Sequence, residues 1–268
     1  MHKTIESLFA GLWQDYIQIT PSAFNIHELL GNTSGQSDIV NDHIALRTFN
    51  FEKVNIEKLA KHFVSLGYEQ KGEYNFEAKK LSAIHLEHPN PLAPKVFISE
   101  LRVEELSEAS QVIIKAMVEQ LDERTLDNEN FLYSGTHWDV SIADYKTLRD
   151  ESEYAGWMAA WGYRANHFTV SVNHLNSINE LKEVNNKLIE AGYKMNESGG
   201  LIKGGQDVCL AQSSTMADTA TAKFADGELS IPSCFYEFAQ RYKMSNGEYY
   251  QGFVAASADK IFESTNAS

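Results

Sequence analysis

Two side chains in the stretch Asn41-Asp-His-Ile-Ala-Leu-Arg-Thr-Phe49 could do chemistry together, His43 and Arg47. The stretch alternates as a strand, so His43, Ala45, Arg47 and Phe49 share one face, while Ile44, Leu46 and Thr48 face the other way. A closed apolar core would strongly disfavour an imidazole and a guanidinium on one face. A concave site would use both, the imidazole to hold a metal and the guanidinium to hold a carboxylate. Four residues of strand set their backbones roughly 13 Å apart, room for a small organic acid between a metal and Arg47.

The same theme returns later in the chain. Asn166-His-Phe-Thr-Val-Ser-Val172 alternates with His167, Thr169 and Ser171 on one face. Each histidine strand is followed by a helical pattern ending in Gly-Tyr, at Gly67-Tyr68 and Gly192-Tyr193, and the spacing from histidine to glycine is 24 residues in one case and 25 in the other. Strand-like pieces come after each Gly-Tyr and end in an apolar strand carrying a carboxylate, Phe97-Ile-Ser-Glu100 and Phe235-Tyr-Glu237. This is an internal repeat of a strand–helix–strands unit. Two such units side by side can form a curved sheet around a cavity. His43, His167 and Glu237 then become a two-histidine, one-carboxylate set, which leaves coordination positions open and is characteristic of non-haem Fe(II) oxygenases.

Less active roles compete with each of these readings. A lone interior histidine is more often a satisfied core residue, and it is the repeat that puts metal ligation ahead for His43 and His167. Glu237 sits between Phe235 and Ala239 on a strand face, where a glutamate is rarely buried unless paired. Glu100 matches Glu237 by repeat position, but a charged run comes directly after it, as at a strand end. His85, Glu87 and His88 could pass for a metal cluster and are expected at a solvated strand end. His137 has no evident partner and is expected to be structural. Arg47 could pair with a structural carboxylate in place of a substrate. Gly199-Gly200 and Gly204-Gly205 do not form a GxGxxG unit after a strand and read as turns. Cys209 and Cys234 read as small core residues, and the aromatic run 154–163 as core.

Periodicity predicts the scaffold around this set. Ile5, Leu8, Phe9, Leu12, Trp13 and Tyr16 predict a helix over 3–18. Pro21 and the polar stretch 31–36 are expected to interrupt the segment between this helix and the first histidine strand. A second helix is expected over about 54–66, strands over 68–74, 80–87 and 95–101, helices around 112–121 and 143–161, and a helix over 178–189. The expected organisation is one α+β domain, 1–268: an N-terminal helical segment (1–41), a first repeat (42–101), a helical insertion (102–163), a second repeat (164–242) and a C-terminal tail (243–268). The two βαβββ-like repeats would form a barrel-like mixed sheet around the metal site.

Composition narrows the partners. The chain has 268 residues, of which 43% are hydrophobic and 22% charged, an ordinary globular balance, and a formal net charge of −14. That charge argues against nucleic acid or an anionic membrane, both of which need a basic face. It would also repel an anionic substrate at long range, so a local cation such as Arg47 or a metal matters more. Two cysteines are too few for a disulfide framework and fit a reducing cytoplasm. No signal peptide is visible, and no run approaches the length of a membrane span.

Four segments carry a resemblance to a known family: Asp42-His-Ile-Ala-Leu-Arg-Thr-Phe49, Asn166-His-Phe168, Phe235-Tyr-Glu-Phe-Ala-Gln-Arg241 and Ala258-Asp-Lys-Ile-Phe-Glu-Ser-Thr265. Together they resemble the DUF1338 family, which includes a dioxygenase/decarboxylase of lysine breakdown acting on 2-oxoadipate. The resemblance implies a fold similar to the vicinal oxygen chelate superfamily and Fe(II) as the metal, with Zn, Mn or Ni able to occupy the same donors in a purified sample. It implies conversion of 2-oxoadipate and O2 to 2-hydroxyglutarate and CO2. Carried over residue by residue, His43, His167 and Glu237 would be the ligands, and Arg47 would hold a substrate carboxylate. Two other classes stay open. One is a redox-inert metal-dependent hydrolase or lyase on the same scaffold. The other is a protein that binds a small anion without chemistry, for which an intact ligand set would be unnecessary.

Overall fold

A computed structural model describes residues 1–35 and 39–265. The chain runs α1 (Ile5–Ile19), α2 (Pro21–Ser34), β1 (Asn41–Phe49), α3 (Ile56–Val64), β2 (Glu69–Phe76), β3 (Leu81–Glu87), β4 (Lys95–Leu101), α4 (Glu108–Gln120), α5 (Ile142–Glu151), α6 (Glu153–Trp161), β5 (Ala165–Ser171), α7 (Leu181–Glu190), β6 (Lys203–Gly205), β7 (Leu210–Ser214), β8 (Thr219–Phe224), β9 (Gly227–Pro232), β10 (Phe235–Arg241) and α8 (Ala255–Ile261). A 3₁₀ turn, Phe262–Thr265, comes after α8.

The repeat is written into the sheet. Eight strands pair in the order β2-β3-β4-β1-β5-β10-β7-β6. β1 and β5 meet antiparallel at the centre, each has a parallel neighbour on its outer side (β4 and β10), and two antiparallel strands complete each half. Each half is therefore a βαβββ unit, with the β8–β9 hairpin inserted in the second. The helix ends repeat as well. Gly67 and Gly192 adopt φ of +96° and +90°, open to glycine at little cost. In both, the glycine N–H donates to a carbonyl near the helix end (Val64, Ile189), and the next tyrosine N–H reaches back further, to Phe63 or Leu188. This Schellman pattern satisfies the last carbonyls.

The helices cover the sheet through apolar faces. Thr4 caps α1 by accepting from Ser7 N, and Leu8, Leu12 and Tyr16 form its buried side. Trp13 of α1 meets Phe168 of β5 edge-on at 5.0 Å. Pro21 does not interrupt the helical segment but opens α2 at its first position, where the missing N–H has no intrahelical partner to lose. Of the polar stretch 31–36, residues through Ser34 belong to this helix and Gln36 lies outside the described residues. The helix expected over 143–161 is two helices. Ser152 is extended between them and caps α6 through Ala155 N, and Gly156 lets α6 lie against Arg149, where a Cβ would come within 2.7 Å. α6 is buried from Tyr154 to Trp161, as expected for the aromatic run. Among the described residues, no helix is long and apolar enough to cross a membrane.

Candidate metal centre and the arginine beside it

The central strand register brings the two histidines together. His43 pairs with Thr169 and Ala45 with His167, so the histidines are diagonal neighbours on the inner face, with ring centroids 5.6 Å apart and nearly perpendicular. Register shifts on both sides of the His43–Ala45 segment bend β1 there, a device that re-aims side chains. On the other side of β5, Phe235 pairs with His167 and Glu237 with Thr169. Donor atoms of His43, His167 and Glu237 lie within 4.8 Å of one another, and the residues are 2%, 4% and 0% exposed.

Each imidazole is oriented by the residue before it. His43 Nδ1 lies 2.7 Å from Asp42 Oδ1, and His167 Nδ1 lies 3.1 Å from Asn166 Oδ1. These acceptors assign the proton to Nδ1 and leave Nε2 for the centre, the usual support for a ligating histidine. His167 Nε2 is 3.1 Å from Glu237 Oε2, His43 Nε2 is 3.6 Å from Glu237 Oε1, and the Thr169 hydroxyl is 3.1 Å from His43 Nε2. Gln212 on β7 donates to Glu237 Oε1 at 2.6 Å. Glu237 Oε2 is buried without a hydrogen-bond partner among the described residues. An orphaned carboxylate oxygen in dry surroundings is costly. Two imidazole nitrogens and a carboxylate whose donor atoms all lie within 4.8 Å of one another are the donor types a divalent ion takes, so the residues fit a metal.

Burial and charge act differently on the three groups. Burial lowers His167 to about 3, with Glu237 opposing and His43 and Arg47 adding to the fall, so its nitrogen lone pair is free at neutral pH. Burial also disfavours the His43 cation, but the Glu237 and Asp42 carboxylates outweigh it and raise this histidine. Burial would raise Glu237, yet the two histidines and Gln212 hold it below the usual carboxylate range.

Arg47 is buried further along the same face and is not yet saturated. Its Nη1 donates to both oxygens of Glu153, at 3.0 and 3.2 Å, while Nε and Nη2 are buried without partners among the described residues. The carboxylate partner weighed for Arg47 is thus present, but it occupies only one nitrogen. The Tyr154 and Trp157 rings lie 4.7 and 4.9 Å from the guanidinium carbon, and Phe262 lies 5.8 Å away. The aromatic run is core, as expected, and two of its rings also wall the arginine.

Other sequence candidates separate cleanly. Glu100 does not stand at Glu237's place in the repeat. His43 pairs with Lys95 and Ala45 with Phe97, as His167 pairs with Phe235 and Thr169 with Glu237, so Phe97 is the counterpart of Glu237. Glu100 accepts from Ile56 N at the start of α3. His85 is buried and not at a solvated strand end: it bonds Tyr74 and Glu87 and packs 5.3 Å from Phe253. His137 has a partner, the Ser134 hydroxyl at 2.6 Å. Cys234 is buried, whereas Cys209 is partly exposed at a positive φ and does not belong to the core.

Gln212, Thr169, Glu153 and Phe253 were not singled out by sequence reasoning. Phe253 covers His43 edge-on at 4.8 Å, held by its N–H to the Tyr74 hydroxyl. Asp42 and Asn166 did have a signal: both repeats read acid-or-amide followed by histidine.

Known proteins share this fold and sequence. A family model described as 2-oxoadipate dioxygenase/decarboxylase matches residues 14–249. A protein of Oryza sativa subsp. japonica named 2-oxoadipate dioxygenase/decarboxylase, chloroplastic/amyloplastic, is 37% identical over 282 residues, covering 94% of this chain and 76% of its own length. The crystal structure of hydroxyglutarate synthase from Oryza sativa in complex with 2-oxoadipate superposes with a TM-score of 0.90 at 35% identity, covering 97% of this chain and 91% of that one. A Shewanella frigidimarina NCIMB 400 protein superposes with a TM-score of 0.92 at 57% identity, covering 96% of this chain and all of its own. The family model spans most of the sequence and the identity extends over nearly the whole chain, so this chain belongs to the 2-oxoadipate dioxygenase/decarboxylase family.

Proposed function

We propose that the chain converts a small 2-oxo dicarboxylic acid, 2-oxoadipate, with O2 to 2-hydroxyglutarate and CO2, using one divalent metal held by His43, His167 and Glu237. The observation that carries this reading is the convergence of three buried donors around an orphaned Glu237 oxygen. Family membership supports the substrate and reaction. Iron(II), which suits a two-histidine, one-carboxylate set with open positions, would supply the site for the 2-oxo acid and the means to activate O2.

The protein's own residues do the rest. Asp42 and Asn166 fix the histidine tautomers, and Glu237 contributes the negative charge. Arg47 would bind the far carboxylate through its Nε and Nη2 edge, the edge that forms two parallel hydrogen bonds to a carboxylate. That selects a diacid of a given length. Phe253 and the buried sheet face exclude water from the centre. Cysteine usage supports a reducing compartment, which we take to be the cytoplasm; the rice relative carries chloroplastic/amyloplastic in its name.

Anaerobic loading with Fe(II), Zn²⁺ or Mn²⁺, then oxygen uptake with a panel of 2-oxo diacids, tests the reading. The expected result is O2 consumption with Fe(II) alone, with 2-hydroxyglutarate and CO2 formed one to one. Metal-dependent turnover without O2 consumption would instead establish a redox-inert metalloenzyme.

A further inference from the structure

Among the described residues, two buried arginines are used in different ways. Arg241 has its Nε and Nη2 edge filled by Asp42, at 2.7 and 2.8 Å, and its Nη1 donates to the Tyr250 and Gly252 carbonyls at 2.9 and 2.8 Å. Arg47 has the same edge empty and only Nη1 engaged. Leaving buried donors unpaired is unfavourable, so something must keep this guanidinium from turning to find other partners.

Glu153 supplies that restraint. It is the first residue of α6, directly after the Ser152 cap, so its backbone is fixed by a buried helix. Both carboxylate oxygens converge on the single nitrogen Nη1, which leaves the opposite edge clear. Oε1 also accepts from the Thr265 hydroxyl at 2.5 Å, which ties the carboxylate to the C-terminal 3₁₀ turn. Tyr154, Trp157 and Phe262 limit rotation of the guanidinium.

We propose that Glu153 is a positioning residue: it pins Arg47 by one nitrogen so that the Nε and Nη2 edge stays presented to the far carboxylate of the substrate. This rests on the substrate-clamp reading of Arg47. Glu153 acts through Arg47 and does not touch the diacid. Position, more than charge, is its contribution, because a formal Arg47–Glu153 pair is neutral and the diacid must be gripped by aligned hydrogen bonds.

Three variants and two substrates test this. Glu153→Ala should raise KM for 2-oxoadipate about tenfold, within the usual range of coupling between contacting residues. Its kcat should change less, and KM for the monocarboxylic 2-oxohexanoate should be unchanged. Glu153→Asp keeps the charge and the helix start but withdraws the carboxylate by a methylene, and should show the same selective rise of a few-fold without a folding risk. Glu153→Gln keeps an acceptor oxygen in place and should restore most of the affinity. Metal content should be equal in all three. Equal effects on both substrates, or a Gln variant worse than Asp, would overturn the proposal. Arg47→Ala in the same series separates the two readings: if it discriminates diacid from monoacid and the Glu153 variants do not, the clamp stands and the positioning role falls. If Arg47→Ala does not discriminate, the clamp itself falls.

Discussion

Arg241 grips both carboxylate oxygens of Asp42 while Asp42 Oδ1 also accepts a hydrogen bond from His43 Nδ1. The imidazole at the candidate centre is therefore oriented by a carboxylate that is itself locked. Arg241 and burial act in opposite directions on Asp42: burial would raise it, and Arg241 with His43 holds it well below the usual range. Asp42 and Arg241 are 7% and 5% exposed.

Breaking this pair should affect stability and metal binding together. Arg241→Ala leaves a buried carboxylate without its counter-charge and should destabilise the fold by about 3–5 kcal/mol. Asp42→Asn retains an acceptor for His43 and should weaken metal affinity by roughly 10–100-fold, the usual cost of losing such support. Chemical denaturation and metal titration measure the two effects. Wild-type metal affinity in both variants would show that the Asp42 support does not matter.

The ligand assignment makes a sharper demand. His43→Ala and Glu237→Ala should each lose most bound metal while retaining the fold, as read by metal analysis and circular dichroism. Glu100→Gln should leave metal content and activity nearly unchanged, because Glu100 caps α3 and glutamine keeps an acceptor for Ile56 N. Full metal retention in either ligand variant would remove that residue from the set.

Arg47 is tested by substrate length. Arg47→Lys and Arg47→Ala should keep the metal but lose at least tenfold in kcat/KM for 2-oxoadipate, since a lost charge-assisted pair in a partly dry site costs about 2–5 kcal/mol. Turnover of 2-oxohexanoate, which has no far carboxylate, should change much less. Lysine should not rescue, because it cannot form two parallel hydrogen bonds. An equal fall for both substrates would make Arg47 a structural residue.

Thiol chemistry offers a test of the fold with a defined pH sign. Burial pushes Cys234 up to about 12, whereas Cys209 is partly exposed. Iodoacetamide at pH 8 should modify one thiol in the native protein, Cys209, and the second only after denaturation. Because the folded state holds the Cys234 proton more tightly than the unfolded chain, this contribution to stability is complete below the unfolded thiol's pKa near 9. It is lost as pH rises toward about 12. Rapid native labelling of Cys234, found by peptide mapping, would contradict its burial.

Periodicity made the strands and the repeat legible, because His43 and His167 each lie on an alternating strand and each subsequent helix ends at Gly-Tyr. The candidate ligands were legible for the same reason. Register was not. Whether Glu100 or Phe97 matches Glu237 depends on which residues pair across β1 and β4, and a one-residue slip sends a side chain to the other face. Gln212 and Glu153 carried no local signal, since each reaches its partner from a distant element: β7 for Glu237, and the start of α6 for Arg47. The break at Ser152 was hidden because its polar side chain reads equally well as a helix surface or as a cap.

The three converging donors come from β1, β5 and β10, neighbours in the sheet but far apart in the chain, so they join distant segments across the line where the two repeats meet. An ion bound there would act as a clasp on the chain, closing a long loop much as a covalent staple does. Because neither half alone has the full set, only the assembled form binds tightly. The ion at a thousandfold its dissociation constant would then favour that form by about 4 kcal/mol. A protease nick between α4 and α5 would be expected to leave two fragments that stay together while the ion is bound and part more readily under a chelator. The centre would then serve the protein twice over, once in chemistry and once as the fastening between its halves.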